Sequence, residues 1–415
     1  MAAPPDAQAQ LKSLVRNAAE VIPEEEFGTK LERSLSEGRP LRVKLGLDPT
    51  SADVTLGWAV VLRKLREFQD LGHTAVLIVG DFTARVGDPS AKSETRPRLS
   101  KEIVKANADR VLGQFGKVLS DERLEIRYNS EWLEPLTMED ILRMTSLYTV
   151  ARMLERDDFA KRFAENRPIS IMEFLYPLLQ AMDSVAVKAD VELGGNDQKF
   201  NLLVGRQIQK DYGQDQQVVF TMPLLVGLDG VRVMGQSLGN YVGIDEPPEE
   251  MFGKLMRIPD GFIVMYLRLC TTLPDDEIGR IEAGMADGSM RPDQAKRRMA
   301  REVVALYRGA EAAAAAEERF DLVFREHRIP EDVAEVELPP SMAGLEKVWL
   351  PRLIAEFGLA ASNSEARRQI EQGGVRIDGQ PVADPELEVA VAELPGKVIQ
   401  VGRRKFVRVV PRGRP

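Results

Sequence analysis

The stretch Thr74-Ala75-Val76-Leu77-Ile78-Val79-Gly80 constrains the fold more than any other. It is a continuous apolar run of strand length. Such a run suits a strand covered on both faces, as in a parallel sheet. Upstream, Arg42 to Leu47 reads as a second strand, which Asp48-Pro49 must end because proline lacks the ladder donor. Between them, Gly57 to Leu71 carries Val60, Val61, Leu65 and Phe68 at helical spacing. Strand, helix and strand at this spacing make a βαβ unit and place the chain in the α/β class. Further strands are predicted at Leu124–Tyr128, Ala189–Leu193 and Val218–Leu225, and residues 1–40 read as polar helix punctuated by Pro23 and Pro40.

The texture changes near Glu246. Residues 250–335 lack strand-like runs and read as helical, with an unbroken Ala312–Ala316 run flanked by glutamates. Ile329-Pro330 and Pro339-Pro340 mark a linker. Beyond it, Leu350, Leu353, Ile354 and Phe357 form one amphipathic helix. Ser362-x-x-Glu365 signals the start of a second, and Val375 to Gly379 reads as a strand entering a tight turn. The expected domains are therefore 1–245, 246–335 and 345–415.

Several function classes are excluded. Cys270 is the lone cysteine, so no intrachain disulfide or cysteine-based zinc site is expected and a reducing cytoplasm is the default. Two histidines, His73 and His327, are too few for histidine-cluster zinc hydrolases and leave little for a Ser-His-Asp hydrolase. No run of about 18 uncharged apolar residues exists, so no membrane span is expected. The N-terminus lacks the apolar core of a secretory signal. The net charge of −9 is uneven: Ser341–Pro415 holds 12 basic and 9 acidic residues, the remainder 44 and 56. Arg403, Arg404, Lys405, Arg408, Arg412 and Arg414 stand at the end with no acid among them, which suggests a polyanion-binding module or a solvated basic tail.

Four places can carry chemistry. Ligands of open α/β sheets sit beyond the carboxyl ends of the strands. Asp48, Pro49 and Thr50 lie there, before a helix whose N-terminus near Leu56-Gly57 attracts phosphate. Asp81 to Lys92 follows the next strand with acids, bases, glycine and proline. Tyr176, Gln180 and Asp183 are spaced i, i+4, i+7, placing three polar groups on one helical face. Gly194-Gly195-Asn196-Asp197-Gln198 suits close contact with a ribose or an amino acid. Taken singly, each also fits a bland loop, turn or half-exposed helix.

Taken in order, these segments resemble one family. Leu47-Asp48-Pro49-Thr50, Gly80-Asp81-Phe82-Thr83, Gly87-Asp88-Pro89-Ser90, Tyr176-Pro177-x-x-Gln180, Gly194-Gly195-x-Asp197-Gln198 and Ser237-Leu238-Gly239-Asn240-Tyr241 are similar to those of the bacterial tyrosyl-tRNA synthetases of class I. The resemblance runs from about residue 40 to 265. It resumes at 345–415, which resembles the RNA-binding module of ribosomal small-subunit protein four. It implies a Rossmann-like nucleotide-binding domain, then a helical domain and a small α+β RNA-binding end. It implies that Asp183 reads the substrate phenol, that Tyr176, Gln180 and Asp88 hold the ammonium, and that Gln198 lies near the carboxylate. Lys44 occupies a further substrate position. Asp48, Thr50, Gly195, Asp197 and Met234 would contact ATP, with Thr55, Gly57, Lys92 and Ser237 as the catalytic set. Arg367, Arg368, Arg376, Arg403, Arg404 and Lys405 would face RNA. ATP with magnesium would be co-substrate, with no tightly bound cofactor. The implied partners are tyrosine, tRNA and a second copy of the chain, with no membrane.

The family pattern breaks at the phosphates. Where HIGH or HLGH should stand, the chain has Thr55-Leu56-Gly57-Trp58; where KMSKS should stand, it has Val233-Met234-Gly235-Gln236-Ser237. Two imidazoles and two ammonium groups are missing. Attack on an α-phosphate is catalysed by charge stabilisation, and losing one preorganised donor costs about 3–4 kcal/mol. Even half of the naive sum slows the step by about 10⁴-fold or more. Arg85, Arg232, Lys92 and Arg96 are candidate substitutes. Three activities fit: an impaired tyrosine–tRNA ligase, a non-catalytic paralogue binding tyrosine or RNA, and a biosynthetic enzyme using tyrosine or charged tRNA.

Overall fold

The computed structural model describes residues 5–88, 100–324, 333–342, 344–402 and 405–411. The chain divides into two compact units, residues 1–307 and 308–415. The first is built on a six-stranded sheet: β1 (Glu20–Ile22), β2 (Arg42–Leu47), β3 (Thr74–Val79), β4 (Leu124–Tyr128), β5 (Val191–Gly195) and β6 (Val218–Met222). Their spatial order is β1-β6-β5-β2-β3-β4, all parallel except β1. Chain order reverses between β5 and β2, which makes their carboxyl ends the natural ligand crevice of the sheet.

Ala75 to Val79 have no exposed surface, as their unbroken apolar run requires. The helix Leu56–Asp70 packs on this sheet through Leu62, Leu65 and Phe68, all fully buried. Thr55 caps it, accepting from the Trp58 amide at 3.3 Å.

The structure differs from the sequence expectation at four places. Residues 1–40 are not all helix: Glu20–Ile22 pairs antiparallel with β6, Glu20 opposite Thr221. A three-residue edge strand has no periodicity of its own and exists only through that distant partner. β6 stops at Met222 rather than Leu225, because Pro223 cannot donate to the ladder. The boundary between units falls inside the stretch 246–335. The helix Ile263–Cys270 belongs with the sheet unit: Tyr266 Oη donates to the Val226 carbonyl at 2.5 Å, and Arg63 donates to the carbonyl of Thr271 at 2.6 Å. Finally, β7 (Ala334–Glu337), which straddles the end of the expected helical stretch and the expected linker, is a strand of the second unit.

That unit contains a five-stranded sheet of order β10-β9-β12-β13-β7: β10 (Gln380–Pro381), β9 (Val375–Ile377), β12 (Val398–Val401), β13 (Lys405–Val410) and β7. β8 (Lys347–Trp349) and β11 (Glu388–Ala390) form a separate pair. The helices Leu350–Glu356 and Asn363–Glu371 bury Leu353, Ile354 and Ile370 in one core with Val375, Ile399 and Val409. Ser362 caps the second helix, accepting from Glu365 N at 3.2 Å, but Glu365 reaches back to the Ala361 amide rather than closing the box on Ser362. Among the described residues no helix is long and apolar enough to cross a membrane.

Candidate active site

The site lies where the strands end. Asp48 follows β2, Asp81 and Thr83 follow β3, Asn129 follows β4, and Asp197 and Gln198 follow β5. The helix Ile171–Val187 crosses above them. Ser170 opens it with a full capping box and its buried face carries Tyr176 and Asp183. Tyr176 Oη donates to Asp48 Oδ2 at 2.8 Å, and Thr83 Oγ1 donates to Asp48 Oδ1 at 2.6 Å. Asn129 Nδ2 donates to Thr83 Oγ1 at 2.9 Å and to Asp183 Oδ2 at 3.4 Å. Trp132 Nε1 completes the chain, donating to Asp183 Oδ1 at 2.9 Å. Tyr176, Asp48, Thr83, Asn129, Asp183 and Trp132 are thus one connected network.

Gly80 makes that network possible. A Cβ there would lie 2.0 Å from Asp48 Oδ1 and 2.4 Å from Thr83 Oγ1, so any side chain would displace the carboxylate. Gly195 plays the same part on the other side: its Cβ would stand 2.5 Å from Asp197 Oδ1. Gln198 Nε2 donates to Asp88 at 3.0 Å and to Asp197 at 3.1 Å, and its own Oε1 accepts from Asn201 at 3.0 Å.

Electrostatically the floor is dominated by buried carboxyls. Burial pushes Asp48 up to about 7, against the opposing Thr83 hydrogen bond. Burial likewise pushes Asp183 up to about 7, despite Lys44 and the Trp132 and Asn129 donors. Burial, then the neighbouring Asp48, holds the Tyr176 phenol well above its ordinary range. Such a pocket favours a ligand that brings positive charge and hydrogen-bond donors.

Lys44, expected at a substrate position, has no exposed surface. Lys44 and Glu192 are register partners on adjacent strands, β2 and β5, and their charges meet at 2.8 Å. Lys44 Nζ also donates to Ser184 Oγ at 2.8 Å and to the Gln180 carbonyl at 3.0 Å. Its donors are spent within the protein, so it lies beneath the pocket and neutralises Glu192. Breaking such a buried pair from one side typically costs about 3–5 kcal/mol.

The phosphate corner is differently furnished. Thr55 is buried and caps its helix, while Trp58 is 41% exposed. Met234 packs near Gly57, whose built Cβ would lie 3.6 Å from Met234 Cβ. Val233 is 46% exposed, Ser237 is exposed, and Gln236 Nε2 donates to the Asp53 carbonyl. Two candidate substitutes for the missing cations are paired elsewhere: Arg85 with Glu134 at 3.0 Å and Arg232 with Asp229 at 2.9 Å. His73 is buried in the core, where its Nδ1 accepts from Leu41 N, and burial pushes it down to about 4. Thr50 lies in the loop after β2, its amide donating to the Asp48 carbonyl at 2.7 Å. Lys92, Arg96 and His327 lie outside the described residues, as do Arg403 and Arg404. No three His, Cys, Asp or Glu side chains gather to hold a metal ion among the described residues.

In the second unit Arg367, Arg368, Arg376 and Lys405 are all exposed. Arg367 pairs with Glu371 at 3.3 Å and Glu386 at 3.1 Å, and Lys405 Nζ donates to the Leu359 carbonyl at 2.8 Å.

Sequence reasoning passed over Asn129, Trp132 and Glu192. Asn129 stands just past a strand, where the crevice rule points. Glu192 is an acid inside the apolar run Val191–Leu193, and Lys44 is a base inside another such strand, so their pairing was legible.

The model of the class I tRNA synthetases (W and Y) matches residues 36–325, and that of the S4 domain matches 348–393. The tyrosine–tRNA ligase of Moorella thermoacetica is 54% identical over 400 residues, covering 96% of this chain and 95% of that one. The chain belongs to the tyrosine–tRNA ligase family. The relative from Thermotoga maritima is 50% identical, covering 96% and 97%. Among solved structures, the family fold recurs in the C-terminally truncated mitochondrial tyrosyl-tRNA synthetase of Aspergillus nidulans, with TM-score 0.62, 21% identity and 77% of this chain against 94% of that one. It recurs also in the Archaeoglobus fulgidus tyrosyl-tRNA synthetase complexed with L-tyrosine, with TM-score 0.61, 24% identity and coverage of 75% and 99%.

A pH dependence follows from the buried carboxyls. Their folded values lie above the unfolded ones, so their contribution to stability is present at low pH and lost as pH rises through about 7. His73, buried neutral, pulls the wild-type curve the other way, so the difference between proteins is the useful quantity. In ligand-free melts, Asp183→Asn should gain on wild type by a growing margin from about pH 5 to about pH 8. A constant margin would show that Asp183 is not titrating there.

Proposed function

We propose that this chain binds tyrosine and tRNA as a tyrosine–tRNA ligase, and that its activation of tyrosine by ATP is slowed at the phosphates. The observation that carries this is the contrast within one crevice. The network of Tyr176, Asp48, Thr83, Asn129, Asp183 and Trp132 is complete, whereas Trp58, Val233 and Gln236 stand where the family pattern has cations.

In this reading Asp183 accepts from the substrate phenol. An aromatic amino acid without that hydroxyl gives up this hydrogen bond, and sites built to bond a substrate hydroxyl reject the analogue lacking it by about 10⁴–10⁵-fold. Tyr176, Gln180 and Asp88 surround the ammonium, and Gln198 stands by the carboxylate. Gly195 and Asp197 meet the ribose, and Asp48 and Thr50 border the nucleotide. Lys92 and Arg96 are the remaining candidate cations for the phosphates. Magnesium would arrive on the nucleotide, since no resident donor set is present among the described residues. Proton transfer is not demanded of any side chain; the work is orientation and charge. A non-catalytic tyrosine or RNA binder is favoured by the pairing of Arg85 and Arg232 with carboxylates, which leaves them poorly placed to replace the lost groups.

Pyrophosphate exchange driven by tyrosine separates these readings. Exchange should be slow, roughly 10⁴-fold below an ordinary relative. Restoring Thr55→His, Trp58→His, Val233→Lys and Gln236→Lys together should raise it. Exchange at a normal rate in the wild type contradicts the proposal, and tyrosine binding with no exchange selects the non-catalytic reading.

The second unit would hold the RNA. Replacing Arg367 and Arg368 by alanine should weaken tRNA binding and lessen the slope of log affinity against log salt by about one to two, tyrosine affinity staying constant. An unaltered slope removes these residues from the interface.

A homodimer also belongs to this reading. Met138, Leu142, Val150, Phe163 and Ile171 are 61–80% exposed, an unusual density of apolar surface within one segment. Burial against a second copy of the chain would cover them. Phe163→Asp with Leu142→Asp should convert a dimer to a monomer in light scattering; a wild type that is already monomeric refutes the assignment. A cytoplasmic location belongs to the same reading, as the default for a chain with a single cysteine.

A further inference from the structure

Glu192 belongs to none of the motifs that point to the site, yet it is the most heavily bonded carboxylate beneath it. It has no exposed side-chain surface and meets Lys44 at 2.8 Å. Ser184 Oγ donates to Oε2 at 3.1 Å, and Gln217 Nε2 donates to the same oxygen. Gln180 Nε2 donates to Oε1 at 3.0 Å. The donors come from β2, from the helix Ile171–Val187 and from the residue preceding β6, so the carboxylate is clamped from three elements.

This bond decides which way the Gln180 amide points. An ionised carboxylate can only accept, so Gln180 must turn its NH₂ toward Glu192. The two ends of a planar amide diverge, and the carbonyl oxygen is therefore turned away from Glu192. Gln180, itself half-buried, lies one turn from Tyr176 and one from Asp183 on the helix that walls the cleft, so a ligand in the cleft is the partner open to that oxygen. Were position 192 an amide, Gln180 could rotate and present its NH₂ instead, a donor facing a ligand's ammonium.

We propose that Glu192 is a specificity-determining positioning residue: it locks Gln180 with its carbonyl toward the ligand's ammonium and so makes the pocket select an amino acid over the same molecule lacking its amine. Lys44 pairs its ammonium with Glu192, whose oxygens accept from every side-chain neighbour. The inference rests on the tyrosine reading above and deepens it.

The test compares, by calorimetry, the affinities of tyrosine and of its des-amino analogue, hydroxyphenylpropionate, in the full chain. Wild type should prefer tyrosine; if it binds neither, or both equally, the tyrosine reading itself fails and the inference with it. In Glu192→Gln the preference should fall by roughly tenfold or more, the size of a hydrogen bond to a charged group, while the analogue keeps its affinity within about twofold. In a Gln180→Met background, Glu192→Gln should leave the preference where Gln180→Met put it, because the effect passes through Gln180. Lys44→Met with Glu192→Gln removes both charges together and gives the same comparison if the single variant does not fold. Equal weakening of both ligands, or a further loss of preference in the Gln180→Met background, overturns the proposal.

Discussion

The pairing of Lys44 with Glu192 holds the site together. Both side chains are completely buried within their strands, and neither charge is tolerable there alone. The parallel register of β2 and β5 sets them opposite one another, at the reversal of strand order where a ligand crevice opens. The helix Ile171–Val187 is then tied to the pair through Ser184 and Gln180, and this brings Tyr176 and Asp183 over the strand ends. Position, rotation and hydrogen-bond polarity of the pocket's wall all trace back to one buried ion pair.

The crevice has two characters. On the amino-acid side, acids are stacked under cover and satisfied by each other's neighbours: Asp48 by Tyr176 and Thr83, Asp183 by Trp132 and Asn129. On the phosphate side, a tryptophan and a valine present apolar surface, and nearby arginines are held by Glu134 and Asp229. In the proposed function the first arrangement would recognise a cation and a phenol, and the second would be short of the cations that gather negative charge in a transition state. Family membership is compatible with that proposal, because binding and charge stabilisation would fall to different residues.

Much was legible in the chain. The buried run Thr74–Gly80 named the sheet's interior strand, the i, i+4, i+7 spacing of Tyr176, Gln180 and Asp183 named one helical wall, the crevice rule named Asp48 to Thr50, and the paired glycines named the turn that carries Asp197. Other features had no local signal. The strand Glu20–Ile22 exists only by pairing with residues two hundred positions away, and β7 only by pairing with β13. Lys44 looked like a ligand contact because its place in the motif said so; whether a lysine beside a pocket faces it or lies beneath it depends on what stands on the neighbouring strand.

Sequence alone determined the α/β class, the S4-type RNA-binding module near the C-terminus, which carboxylates stand at the strand ends and which cations of the family pattern are missing, because these follow from short-range pattern and from which functional groups are present. Tertiary structure alone decided which charges cancel. Lys44 was assigned to Glu192, Arg85 to Glu134 and Arg232 to Asp229 by the proximity of strands and loops far apart in the chain, and a charge already matched inside a protein has little left for a ligand.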